Sequence, residues 1–150
     1  MVFRKLGMAE KVKSVANISL HKNSLSVLQV EIFIFDVLEH LMPRLKRNID
    51  IDINIVTRCD RQHYALCLGD KNSAEIELAR GSGDITFTLK EMMLNLAHEL
   101  VHAKQFIKGE LHPNLNKWKS LDFSNTAYSR QPWEKEAYLL EDNLLETHWK

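Results

Sequence analysis

Apolar residues along this chain change their spacing several times, and each change marks an element. From Ser24, the residues Leu28, Ile32, Phe35, Leu38, Met42 and Leu45 recur every three or four positions. That spacing predicts a helix over about 24–47, with Pro43 bending or restarting it. The period then drops to two: Ile49, Ile51, Ile53 and Ile55 alternate with Asp50, Asp52 and Asn54, the pattern of a half-buried strand. Tyr64–Leu68 predicts a second strand, ended by Gly69-Asp70. A turn at Gly69–Ser73 would join it as a hairpin to a third strand, Ala74–Arg80, in which Ile76 and Leu78 alternate with Glu75 and Glu77. Gly81–Asp84 breaks the chain again, and Ile85–Phe87 leads into the next helix.

That helix is bounded at both ends. Thr88 and Glu91 form a T-x-x-E capping box, and Gly109 is a natural residue just past the end. Between them Met93, Leu96, Ala97, Leu100 and Ile107 make an apolar stripe, with His98, His102 and Gln105 on a neighbouring face. Residues 110–131 are polar and without clear period, and a connection of that length is usually functional or mobile. The last helix starts near Pro132, a favoured first helical residue, and buries Trp133, Ala137, Leu140 and Leu144. Residues 1–23 show no clear period and are expected to form an arm or a short helix. The remainder, 24–150, is expected to be one α+β domain with a small sheet of three to four strands.

Composition adds mostly exclusions. Hydrophobic residues make up 45% of the 150, enough for a core. Twenty basic side chains balance twenty acidic ones, so there is no global attraction to nucleic acid or to an anionic membrane. The apolar run Val27–Met42 is interrupted by Glu31, Asp36 and Glu39, which makes it a core helix and not a membrane span. No apolar block of signal-peptide length occurs in residues 1–17. The two cysteines, Cys59 and Cys67, have no zinc-ribbon spacing and demand no disulfide, so a reducing, cytoplasmic setting is expected.

The chemistry concentrates in His98-Glu99-Leu100-Val101-His102. Positions i and i+4 of a helix lie on one face, so the two imidazoles can grip one metal ion. Glu99 then sits beside it as a general base. Background composition would produce H-E-x-x-H by chance in on the order of one in a few hundred chains of this length. A catalytic zinc takes three protein ligands. A third His in the extended motif is disfavoured, because residue 105 is Gln and residue 108 is Lys. The segment Trp133–Ala137 offers Glu134 and Glu136 instead. Glu134 shares its side of the helix with Tyr138 and Leu145 and is expected to be the more buried; Glu136 shares its side mainly with Asn143. Gln105 and Glu141 read as helix-surface groups or supports for the ligands.

H-E-L-V-H-A-K-Q at 98–105, followed some thirty residues later by W-E-K-E-A at 133–137, resembles the small single-domain zinc metallopeptidases of the gluzincin type. These include the SprT-like and ImmA/IrrE-like groups and the short minigluzincins often encoded by phages. The resemblance implies a zincin-like fold: a helix, a small, mostly antiparallel sheet with an edge strand, the H-E-x-x-H helix and a helix carrying E-x-x-A. It implies Zn2+ on His98, His102 and Glu134. It also implies that a peptide or protein substrate adds to the strand before the zinc helix, here 74–80. Family members often carry Asp or Asn where this chain has Tyr138, so the partner expected there must come from elsewhere, with Glu141 a candidate. The zinc ribbon of DNA-repair members is absent from this sequence, which gives no strong nucleic-acid signal. The activity expected is hydrolysis of peptide bonds, with Glu99 as base and Tyr128, His112 or Arg130 from the loop 110–131 as donor to the oxyanion, Tyr128 being preferred. The alternative is a non-catalytic zinc-containing binding or regulatory module of the same fold.

Overall fold

The computed structural model describes residues 16–21, 27–58 and 64–150. Most of the arm expected at 1–23, together with Cys59, lies outside them. The residues that are described before position 24 form a strand that the period analysis did not anticipate: β1, Ala16–His21. Helix α1 follows at Val27–Leu41, then strand β2 at Ile49–Val56, strand β3 at Ala65–Gly69 and strand β4 at Ser73–Ala79. Helix α1 is shorter than its apolar spacing suggested. Pro43 ends it, because a proline disfavours helical backbone at the residue before it.

The four strands lie in the order β1-β2-β4-β3. β1 runs parallel to β2, and β2 parallel to β4; only β3 and β4 are antiparallel. The sheet expected to be mostly antiparallel is therefore mixed, with antiparallel pairings prevailing only when two short ribbons elsewhere are included. The parallel β1–β2 pair has a physical cause: helix α1 lies between the two strands in sequence and carries the chain back to the starting end of the sheet. β3 and β4 are joined by the tight turn foreseen at Gly69–Ser73. Asp70 Oδ1 accepts from the backbone amides of Asn72 and Ser73, at 2.8 and 3.0 Å. A Cβ on Gly69 would lie 2.6 Å from the Ser73 carbonyl oxygen, so the close approach of the two strands there requires glycine.

This topology corrects a second expectation. Strand 74–80 was expected at the edge, but β4 is interior, hydrogen-bonded to β2 on one side and β3 on the other. Among the described residues, the edge nearest the long helix that carries His98 and His102 is β3.

Helix α1 and the long helix that follows the sheet cover one of its faces. Ile49, Ile51, Ile53 and Ile55 of β2 and Ile76 and Leu78 of β4 point into that face and are buried, while Asp50, Asn54 and Glu75 point the other way and are exposed. After the β5–β6 ribbon (Gly81–Ser82 with Ile85–Thr86) comes helix α2, Leu89–Ile107. Thr88 caps it as expected: its side chain accepts from the Glu91 amide at 3.1 Å, and Glu91 accepts from the Thr88 amide at 2.8 Å. At the other end Gly109 takes φ 74°, and the amides of Gly109 and Glu110 close back on the carbonyls of Phe106 and Gln105.

Residues 110–131 have more order than their composition suggested. Strands β7 (Lys117–Trp118) and β8 (Leu121–Asp122) form a ribbon tied to Leu111, and a 3-10 turn occupies Tyr128–Arg130. Helix α3, Pro132–His148, then packs along α2 through Trp133, Ala137, Leu144 and Leu145. The Ala137 methyl is fully buried at that contact, where a larger side chain would push the two helices apart. Among the described residues, no helix is long and apolar enough to cross a membrane.

Candidate metal centre

Helix α2 carries His98 and His102 one turn apart, and the first turn of α3 brings Glu134 against both. His98 Nε2 lies 3.0 Å from Glu134 Oε1, and His102 Nε2 lies 3.1 Å from Glu134 Oε2. The three potential ligand atoms fall within 4.8 Å of one another, and this is the one such group of three or more found among the described residues. Glu136, the other candidate for third ligand, points elsewhere. Its Oε1 accepts from Lys104 Nζ at 2.8 Å and from Gln105 Nε2 at 3.1 Å.

The far nitrogen of each imidazole is also held. His98 Nδ1 lies 2.7 Å from Glu141 Oε2, and a carboxylate only accepts, so Nδ1 carries the proton. His102 Nδ1 lies 2.8 Å from Gln105 Oε1. Gln105 is itself fixed, because its Nε2 donates to the Trp133 carbonyl at 3.0 Å as well as to Glu136. Its oxygen therefore faces His102 and accepts. When the imidazoles are deprotonated at Nε2, each turns a lone pair toward Glu134. In that state two nitrogens and one carboxylate converge in a buried place, a donor set that could hold a metal ion such as zinc. The Tyr138 ring packs edge-on against His98 at 4.6 Å between centroids, while the hydrogen bond to Nδ1 comes from Glu141.

No match to this chain was found among known protein families, characterised proteins or solved structures.

Protons compete for the same site. Burial lowers the His98 pKa, but its hydrogen bonds to Glu134 and Glu141 outweigh burial and raise it to about 9. His102 is raised in the same way against its burial, by Glu134 and by Glu99. Burial raises the Glu134 pKa, yet its hydrogen bonds to the two imidazoles win and bring it down to about 2. A raised histidine pKa contributes stability that is complete below 6.5 and is lost as pH rises through about 9. A lowered carboxylate pKa contributes stability that is complete above 4.5 and is lost as pH falls through about 2. In chelator-treated protein the cluster should therefore stabilise the fold most between pH 4.5 and 6.5, and the urea midpoint should fall between pH 6 and pH 9. A midpoint that rises over that interval would contradict this ordering. With zinc supplied, affinity should change in the opposite sense and strengthen toward pH 9, since binding must displace those protons.

Around the three ligands lies a cavity of about 280 Å³, whose lining includes Glu99, Tyr128, Cys67, Phe106, Leu111 and Trp133. Glu99 is only 8% exposed. Tyr128 reaches in from the 3-10 turn, and its hydroxyl donates to Glu134 Oε1 at 2.9 Å and lies 3.2 Å from that of Tyr138. Burial, the contact with Tyr138 and the Glu134 charge all raise the Tyr128 pKa, so its hydroxyl stays a donor. His112 lies apart, lining a different cavity with Lys71 and Lys117, and Arg130 does not line the metal cavity. Cys67 enters from β3; burial first, then the Glu99 charge, pushes its thiol well up and keeps it protonated.

Sequence reasoning gave Gln105 no definite task, and the helical period could not show that its amide would be gripped by α3. Replacing Gln105 with Met should weaken zinc binding by about 10–100-fold, the usual cost of losing a ligand's outer partner. Competition against a chromophoric chelator measures this, and an unchanged affinity would mean that Gln105 does not hold His102.

Proposed function

We propose that this chain is a zinc-dependent peptidase of the gluzincin type. The observation that carries the reading is the convergence of His98 Nε2, His102 Nε2 and Glu134, with both outer nitrogens pinned by Gln105 and Glu141 and with Glu99 in the same cavity. Zinc held by these three residues would supply Lewis acidity, lowering the pKa of water toward ~7 and polarising a substrate carbonyl. Glu99 accepts the proton of the attacking water and returns it to the leaving amine. The Tyr128 hydroxyl turns from Glu134 to donate to the oxyanion that develops on the scissile carbonyl. β3, whose Ala65, Leu66 and Cys67 line the cavity, takes the place first assigned to residues 74–80. A substrate strand would pair with its backbone there. The buried, free Cys67 suits the reducing cytoplasmic setting proposed from composition.

The test is hydrolysis of an unstructured protein such as casein. Activity should disappear on chelation and return with about one equivalent of Zn2+. Protein that binds zinc but cleaves nothing would instead favour the non-catalytic module.

A further inference from the structure

A second set of metal-type side chains lies outside this cavity, where the C-terminal ends of two helices meet. His40 stands in the last turn of α1 and His148 in the last turn of α3. Their Nδ1 and Nε2 atoms are 2.8 Å apart, with the rings edge-on at 86°. Both nitrogens therefore aim at one point between them. In a neutral pair one of the two is a lone pair, and a proton or a metal can occupy that point.

The surroundings favour positive charge there. The C-terminal end of a helix carries a partial negative charge from its unpaired carbonyls, and two such ends converge on this pair. Asp36 precedes His40 by one turn on the same face of α1, the i, i+4 relation that sets two ligands side by side. It also lines the cavity that His148 lines, together with Gln29, Ile32 and Trp149. This stripe of α1 faces the end of α3, as the 5.6 Å edge-on contact between Phe33 and Trp149 confirms.

From these placements we infer a second metal site, formed by His40 and His148 with Asp36, which stands one turn before His40 and lines the same cavity as His148, as the third candidate ligand. Two imidazoles and a carboxylate select a borderline transition cation such as Zn2+, Ni2+ or Cu2+ over Mg2+ or Ca2+. The site has two ligand atoms already facing each other against three at the first, so it is the weaker of the two. Its effect would be to join the end of α1 to the end of α3 opposite Glu134. The inference does not depend on peptidase activity.

Calorimetric titration of the untagged chain with Zn2+ tests it. The wild type should take up two equivalents with separable affinities. The double variant His40→Ala/His148→Ala should lose the weaker event and keep the tighter one. Glu134→Ala should weaken the tighter event and leave the weaker unchanged. His148→Asn alone, a milder change, should weaken the second event at least tenfold, and a tenfold excess of Mg2+ should not compete for it. One equivalent in the wild type, or a second event that survives loss of both histidines, would overturn the inference and leave a pair that shares only a proton.

Discussion

Glu99→Gln should lower peptide turnover by about 10²–10⁴-fold, the usual share of a general base, while zinc content stays equal to that of the wild type. The substitution keeps the size and shape of a side chain that is 8% exposed beside the two histidines, so the packing of α2 should survive it. Only the ability to accept a proton is lost. The metal ligands are His98, His102 and Glu134 in this proposal, and Glu141, Gln105 and Tyr128 hold them by hydrogen bonds that the substitution leaves in place. Turnover of a fluorogenic peptide and metal content must be measured on the same preparation. Turnover equal to wild type would remove Glu99 from the mechanism. Loss of zinc along with turnover would make Glu99 part of the metal cage instead.

The second large effect is at Glu134. Glu134→Ala should weaken zinc binding by more than the roughly 10–100-fold expected from losing an outer partner. Glu136→Ala should stay within that range, because Glu136 reaches the metal site only through Gln105 and His102. The two positions lie two residues apart, roughly 200° around the helix, and carry the same charge change. Their difference therefore reports geometry and not net charge. Equal losses in the two variants would mean that the first turn of α3 rearranges on binding and that Glu134 is not the ligand. Glu136 also pairs with the buried Lys104, so its removal should lower the thermal midpoint even where zinc binding persists.

Much of this site was legible because local chemistry specifies it. Thr88 and Glu91 fix where α2 begins, Gly109 fixes where it ends, and the i, i+4 spacing then puts His98 and His102 on one face. Glu134 could be preferred to Glu136 because Tyr138 and Leu145 share its side of α3. The sheet was harder. Ala16, Ile18 and Leu20 alternate with polar residues just as β2 does, so β1 had a period-two signal that was passed over. β4 was taken for an edge because the strand before the H-E-x-x-H helix is the substrate-binding edge in the family that the sequence resembles. The alternation of Glu75 and Glu77 with its apolar residues reports only one wet face, which an interior strand of a sheet covered on one face also shows. Strand order and direction depend on crossovers between distant segments, and no local pattern encodes them. The grip of α3 on Gln105 is likewise a contact between elements: 28 residues separate Gln105 from Trp133.

β3 has a consequence for the protein in concentrated solution. Among the described residues it ends the sheet, and it presents Leu66 and Leu68 to solvent at 39% and 46% exposure. Backbone groups at such a border, flanked by leucines, suit another copy of the same strand as well as an incoming peptide. If a substrate strand binds β3 as proposed, its binding and self-association would draw on one surface, so a bound peptide would act as a solubiliser and a high protein concentration as a competitor for that edge.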